Sequence, residues 1–132
     1  MLESLKRLEK LVNSELSIKI KKSAIENDEF LIEIEENDLT DVVQFLKSNE
    51  KLKFKQLIDI AGVDYPEEEK RFNLVYLFLS HENNYRIKLS ISFQHNQIIN
   101  SITKIFPSAN WMEREVFDMY GIKFKNHPDL RR

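Results

Sequence analysis

The residues with chemical potential crowd into one stretch, Trp111-Met112-Glu113-Arg114-Glu115-Val116-Phe117-Asp118-Met119-Tyr120-Gly121. At about 100° per residue of helix, Met112, Val116, Phe117, Met119 and Tyr120 share one broad arc. Trp111, Arg114, Glu115 and Asp118 gather on the opposite side. Glu115 and Asp118 are three residues apart on a common face, where two carboxylates could act as an acid–base pair or hold a hard cation. The competing reading makes them surface or interface charges, because Arg114 precedes Asp118 at ion-pairing spacing. Glu113 is the exception, a carboxylate among apolar neighbours. Asn110 stands three residues before it at capping-box spacing, which predicts that Glu113 folds back onto the Asn110 backbone N–H. The structural reading outweighs the catalytic one, and no residue of the run is expected to be catalytic.

Other chemistry is thin. His81, His95 and His127 lie in separate segments, without a spacing that puts two ligands on one helix face. His81 and His95 read as surface residues at strand ends, and His127 as a tail residue. Cysteine is absent, which excludes thiol nucleophiles, disulfides and cysteine-ligated iron–sulfur or zinc sites. With 2 glycines in the chain, a nucleotide-cradling loop is close to excluded, and no serine elbow is present. Metal-ligating and cofactor-binding residues are therefore expected to be none.

A formal net charge of −2 argues against a nucleic-acid binder. Tyr85 beside Arg86 and Lys88 does not change this, since bases need exposed aromatics and these belong to the apolar face. The charge is uneven, acidic over 1–70 and basic over 71–132. The longest apolar run, Leu74 to Leu79, falls far short of the roughly 20 residues of a membrane-spanning helix. The N-terminus lacks the apolar core and cleavage site of a signal peptide.

The elements that must position the charged helix follow from periodicity. A chain of 132 residues, 42% hydrophobic and 32% charged, has the size and core material of one domain. Leu2, Leu5, Leu8 and Val12 form the stripe of an amphipathic helix. Leu16, Ile18 and Ile20, then Phe30, Ile32 and Ile34, alternate as two strands joined through Asn27 and Asp28. Asp38 is placed to cap a helix whose core face is Leu39, Val42, Val43 and Leu46.

Phe54 to Ile60 fits a helix or a strand and is ended by Gly62, before an acidic loop over 64–69. Phe72 to Leu79 reads as a central strand buried on both faces. Tyr85 to Phe93 alternates with one wet face, and His81 to Asn84 makes the two strands a hairpin. Ile102, Ile105 and Phe106 form a short turn stopped by Pro107. A helix follows from about Asn110 to Tyr120, with Gly121 just past its end, and Ile122 to Arg132 reads as an extended basic tail. The fold class is α+β: two layers, helices on a mostly antiparallel or mixed sheet, then a C-terminal helix and extended tail. Residues 1–106 are the α+β part, and 107–132 the helix and tail, an interface segment of the same domain.

The run Trp111 to Ile122, with His127-Pro128-Asp129-Leu130-Arg131-Arg132, resembles the signature of the C subunit of bacterial NADH–quinone oxidoreductase. The mitochondrial counterpart is the thirty-kilodalton subunit of respiratory complex I. Asp59 to Pro66 and the strand around Phe72 to Tyr76 agree in order, so the likeness spans about residues 55–132. The resemblance implies a non-catalytic structural subunit of the hydrophilic (peripheral) arm of a proton-translocating NADH:quinone oxidoreductase. Members of that family hold no flavin or iron–sulfur cluster of their own, those cofactors belonging to partner subunits. They pack beside the quinone-site subunit and help assemble the arm, and they continue past the His-Pro-Asp-Leu-Arg-Arg segment into a longer tail.

The signature and partner-interface residues implied are Trp111, Glu113, Arg114, Glu115, Asp118, Tyr120, Gly121, His127, Pro128, Asp129, Leu130, Arg131 and Arg132. Membrane association would be indirect, through the complex. The expected location is peripheral, on the cytoplasmic side of a bacterial inner membrane or the matrix side of the mitochondrial one. Two alternatives stand beside this: the homologous subunit of a membrane-bound hydrogenase or other-donor dehydrogenase, and a free-standing interaction module.

Overall fold

The computed structural model describes residues 2–16, 19–27, 29–94 and 96–128, with Leu2, Ser4 and Leu16 described by backbone alone. The expectations for Ile18, Asp28, His95 and residues 129–132, and for the side chains of Leu2 and Leu16, lie outside the described residues. In chain order the elements are α1 (Leu2–Leu16), β1 (Ile20–Glu26), β2 (Glu29–Ile34), α2 (Leu39–Ser48), β3 (Gln56–Asp64), β4 (Phe72–Ser80), β5 (Tyr85–Phe93), β6 (Ile99–Asn100), α3 (Ala109–Tyr120) and β7 (Phe124–Lys125).

Five strands form a mixed sheet in the order β1-β2-β5-β4-β3, and β6 and β7 pair separately. Only the β2–β5 contact in the large sheet is parallel; β1–β2, β5–β4 and β4–β3 are antiparallel. The connection between the two parallel neighbours runs through α2, β3 and β4, an α+β arrangement. One face of the sheet carries Phe30, Ile32, Ile34, Leu74, Tyr76, Phe78, Ile87, Leu89 and Ile91. These pack into one core with Leu5, Leu8 and Val12 of α1 and Leu39, Val42, Val43 and Leu46 of α2. The period-2 alternation of β2 and β5 puts every second residue there, as their patterning predicts.

Four local expectations are corrected. The first helix runs through Leu16 and the strand after it starts at Ile20, so the apparent alternation of Leu16 with Ile18 and Ile20 spans a boundary. Asp38 makes no side-chain cap: a 3-10 turn, Glu36–Asp38, feeds α2 directly, and the Asp38 carboxylate lies 3.3 Å from Lys19 Nζ. β3 does not end at Gly62 but continues to Asp64, with a bulge between Leu57 and Asp59. That irregularity explains its mixed helix and strand periodicity. β4 is buried on one face only, its alternate residues Asn73, Val75, Leu77 and Leu79 half-buried on the other. Here the continuous apolar run reflects an apolar stripe on the uncovered side, not a second layer.

Beyond β3, Arg71 closes the acidic connection to β4 with a two-point bond to Asp64, 2.7 and 2.9 Å.

Candidate functional site: the helix α3 and its anchorage

α3 begins where Pro107 ends the preceding turn, whose backbone bonds run from Ile105 and Phe106 to the Ile102 carbonyl at 3.0 and 2.8 Å. It ends at Gly121, which adopts the left-handed conformation at φ 72° while its N–H donates to the Phe117 carbonyl at 2.8 Å. Glycine has no Cβ to oppose that conformation, so the expectation for Gly121 holds.

The side of α3 toward the domain presents Ala109, Glu113, Val116 and Phe117. At its C-terminal end the Tyr120 ring lies over Gly62 of β3, and its hydroxyl donates to the Gly62 carbonyl at 3.0 Å. The same ring meets Phe72 edge-on, 6.2 Å between centroids. Gly62 is therefore a site of close approach within a strand, a role its sequence position does not announce. Met119, placed on the apolar arc by projection, is 73% exposed and points away from the domain. Trp111 is 67% exposed, Glu115 and Asp118 are exposed, and Arg114 is half-buried.

Glu113 is not part of a capping box. The helix starts one residue before Asn110, with Ser108 at its cap position and no side-chain cap bond, so Asn110 already lies inside the first turn. The wholly buried Glu113 carboxylate turns instead to the segment after β6. One oxygen accepts from Ser101 Oγ at 2.6 Å, the other from the Ile102 N–H at 2.9 Å. Burial pushes its pKa up from 4.5, opposed by those two bonds and by the nearby His127. Burial, together with the Glu113 charge, also raises the Tyr76 hydroxyl well above 10.0. Among the described residues no protein group hydrogen-bonds that hydroxyl.

The segment from Ile122, read as an extended basic tail, is corrected in part: it contains a paired strand. Ile122 and Phe124 are buried, and β7 pairs in parallel with β6. Backbone bonds from Ile99 to the Lys123 carbonyl, 3.0 Å, and from Ser101 to the Lys125 carbonyl, 2.9 Å, extend the pairing. The alternation of Ile122 and Phe124 with Lys123 and Lys125 carried this signal, in a run too short to stand out. The His127 side chain is buried; Nε2 lies 2.9 Å from the Asn110 carbonyl and 3.8 Å from Glu113 Oε1. A carbonyl only accepts, so Nε2 carries the hydrogen. Pro128 is exposed at the end of the described segment.

A second surface feature was not foreseen. On the sheet face away from the core, Leu31, Val63, Tyr65 and Val75 floor an open trough of about 670 Å³ that Lys22, Glu33 and Lys88 border. Among the described residues no group of three or more His, Asp or Glu side chains could hold a metal ion. No described helix is long and apolar enough to cross a membrane.

The comparisons with known proteins agree with one another. The family profile described as "Respiratory-chain NADH dehydrogenase, 30 Kd subunit" matches residues 32–132. The NADH-quinone oxidoreductase C subunit of Ruegeria pomeroyi is 51% identical over 104 residues, 79% of this chain and 52% of that protein. The protein of the same name from a Chelativorans species is 42% identical over 132 residues, 100% of this chain and 66% of its own. The chain thus spans about half to two thirds of the length of these relatives.

In structure it is similar to the trypsin-resistant fragment (1-134) of Nqo5, with a TM-score of 0.78 at 24% identity, covering 94% of this chain and 99% of that one. A chain of an archaeal membrane-bound sulfane sulfur reductase gives 0.77 at 19% identity, covering 92% and 72%. Both structural likenesses speak to the fold alone. A profile match that runs from β2 through α3 to the last residue, joined to these identities, places the chain in the family of the thirty-kilodalton subunit of respiratory-chain NADH dehydrogenase.

Proposed function

We propose that this chain is a structural, non-catalytic subunit of the hydrophilic arm of a proton-translocating NADH:quinone oxidoreductase. In this reading it supports assembly beside the quinone-site subunit, on the cytoplasmic side of a bacterial inner membrane or the matrix side of the mitochondrial one. Flavin and iron–sulfur clusters belong to its partners, and its contact with the membrane is indirect. The observation that carries the reading is the family match across α3 and the segment after it.

The geometry supports a docking role for α3 rather than a reaction site. Its one buried carboxylate, Glu113, is occupied by internal bonds. Glu115 and Asp118 stand on the outward side with Trp111 and Met119, two large side chains that are mostly exposed. Exposed Trp and Met amid charges are the composition of an interface core with its polar rim. With Arg114, Gly121 and the residues from Pro128 to Arg132, they make up the proposed partner surface; Tyr120 and His127, which face the domain, support it from beneath.

Affinity purification from native membranes tests the assignment: flavin- and iron–sulfur-bearing subunits should copurify with the chain. Removing one member of a charged pair buried at an interface costs about 2–5 kcal/mol. Arg114→Ala or Asp118→Ala should therefore lower assembled complex and membrane NADH oxidation together, with the chain itself still folded. A complex that assembles fully but turns over slowly would give these residues a part in the quinone reaction and remove the structural assignment.

A further inference from the structure

Glu113 is one of two buried polar or charged residues in the described core, the other being Ser80. A buried carboxylate is costly unless it is paired and hydrogen-bonded, and an apolar residue at this helix position would pack without that cost. What Glu113 supplies instead is direction. Its oxygens reach two separate stretches of chain: the turn after β6, through Ser101 Oγ and the Ile102 N–H, and the segment after β7, through the His127 ring. The same ring donates to the Asn110 carbonyl in the first turn of α3. The two halves of the family-like signature, Trp111 to Ile122 and His127 onward, therefore meet at one carboxylate and one imidazole.

We propose that Glu113 and His127 form a latch that locks residues 126–128 against the start of α3 and so fixes how the segment after β7 is held on the domain. Pairing with β6 and the apolar packing of Ile122 and Phe124 fix the chain as far as Lys125, where that pairing ends. The directional bond from the His127 ring to the Asn110 carbonyl, 2.9 Å, holds the stretch beyond it, and the Glu113 carboxylate 3.8 Å from the same nitrogen adds a non-directional electrostatic contact. The inference deepens the docking role proposed above, because a partner-binding segment presented at a fixed angle loses less entropy on binding. The latch itself requires no partner, so its test is independent of that role.

The experiment is amide hydrogen exchange on the 132-residue chain and on three variants. His127→Phe keeps ring volume and removes the Nε2 donor; exchange at residues 124–127 should rise roughly tenfold while β4 and β5 stay protected. His127→Gln offers an amide donor near the Nε2 position and should restore most of the protection. Glu113→Gln keeps an acceptor for the Ile102 N–H but turns an N–H toward the His127 N–H. It should loosen residues 126–127 while the turn at 101–102 stays protected. Unchanged exchange in His127→Phe would show that packing alone holds the segment and would overturn the latch. So would a uniform rise across β4 and β5, which would make the ring part of the global core, or failure of His127→Gln to restore protection.

Discussion

Replacing Gly62 with alanine isolates the contact that seats α3 on the sheet. An alanine Cβ at this position would stand 2.6 Å from Tyr120 Cε2 and 3.0 Å from Cδ2, well inside the roughly 3.5–4.0 Å of ordinary carbon contact. The ring cannot simply swing away. Its hydroxyl is bonded to the Gly62 carbonyl and its edge is packed on Phe72. Gly62 does not have a positive φ, so the backbone itself accepts alanine and should favour it by about 0.4–1 kcal/mol through the unfolded chain. Overpacking against the ring costs about 1–3 kcal/mol, and losing the Tyr120 bond adds about 1. The expected net destabilisation is about 1–3 kcal/mol, and its origin is the ring. Urea unfolding of Gly62→Ala, Tyr120→Ala and the double variant closes a thermodynamic cycle. With Tyr120 truncated, Gly62→Ala should become neutral or stabilising. Equal costs in both backgrounds would show that α3 does not rest on this glycine and would refute the reasoning.

Glu113→Ala should cost about 3 kcal/mol or more, since the buried Ile102 N–H loses its acceptor, while Glu113→Gln should cost about 1. A raised native pKa means that above the unfolded value of 4.5 the folded state holds a proton the unfolded state has released. Stability from this group is therefore fully present below 4.5 and is lost as pH rises through the raised native value. The stability difference between wild type and Glu113→Gln across pH should show that decline, and a difference that grows with pH instead would contradict the burial-dominated account. Tyr76→Phe should be neutral or slightly stabilising in thermal unfolding, because the buried hydroxyl it removes has no hydrogen-bond partner among the described residues; a loss above about 1 kcal/mol would mean that the hydroxyl is bonded in solution. Gly121→Val should cost more than about 1 kcal/mol and Gly121→Asn less, although a Cβ there meets no atom within 4 Å, because the strain lies in the backbone. Equal costs for the two would place the penalty elsewhere.

Much of the fold was legible because its signals are local. The stripe of Leu5, Leu8 and Val12, the alternation in β2 and β5, the hairpin at His81 to Asn84 and the stop at Gly121 each need only neighbours a few residues away. Glu113 shows where local reasoning ends. Its spacing from Asn110 matched a capping box, but the helix begins one residue earlier and the carboxylate binds partners 11 and 12 residues back. Those partners lie in the turn directly after β6, which is paired with β7. The same pairing makes part of a segment read as an extended tail into a packed strand, beyond which the His127 ring meets the first turn of α3.

Gly62 looked like the end of an element, and only the arrival of Tyr120 from 58 residues away shows why no side chain fits there. The apolar run of β4 looked doubly covered, yet one of its faces stays open. By itself the sequence determined most of the helices and strands, with the start of β1, the nature of β3 and the short β6 and β7 as exceptions, and, through the run from Trp111 to Gly121, the family. Which carboxylate is buried, which aromatic rests on which glycine and where the last described residues point were decided by tertiary structure. Those outcomes depend on distances between segments that no period along the chain encodes.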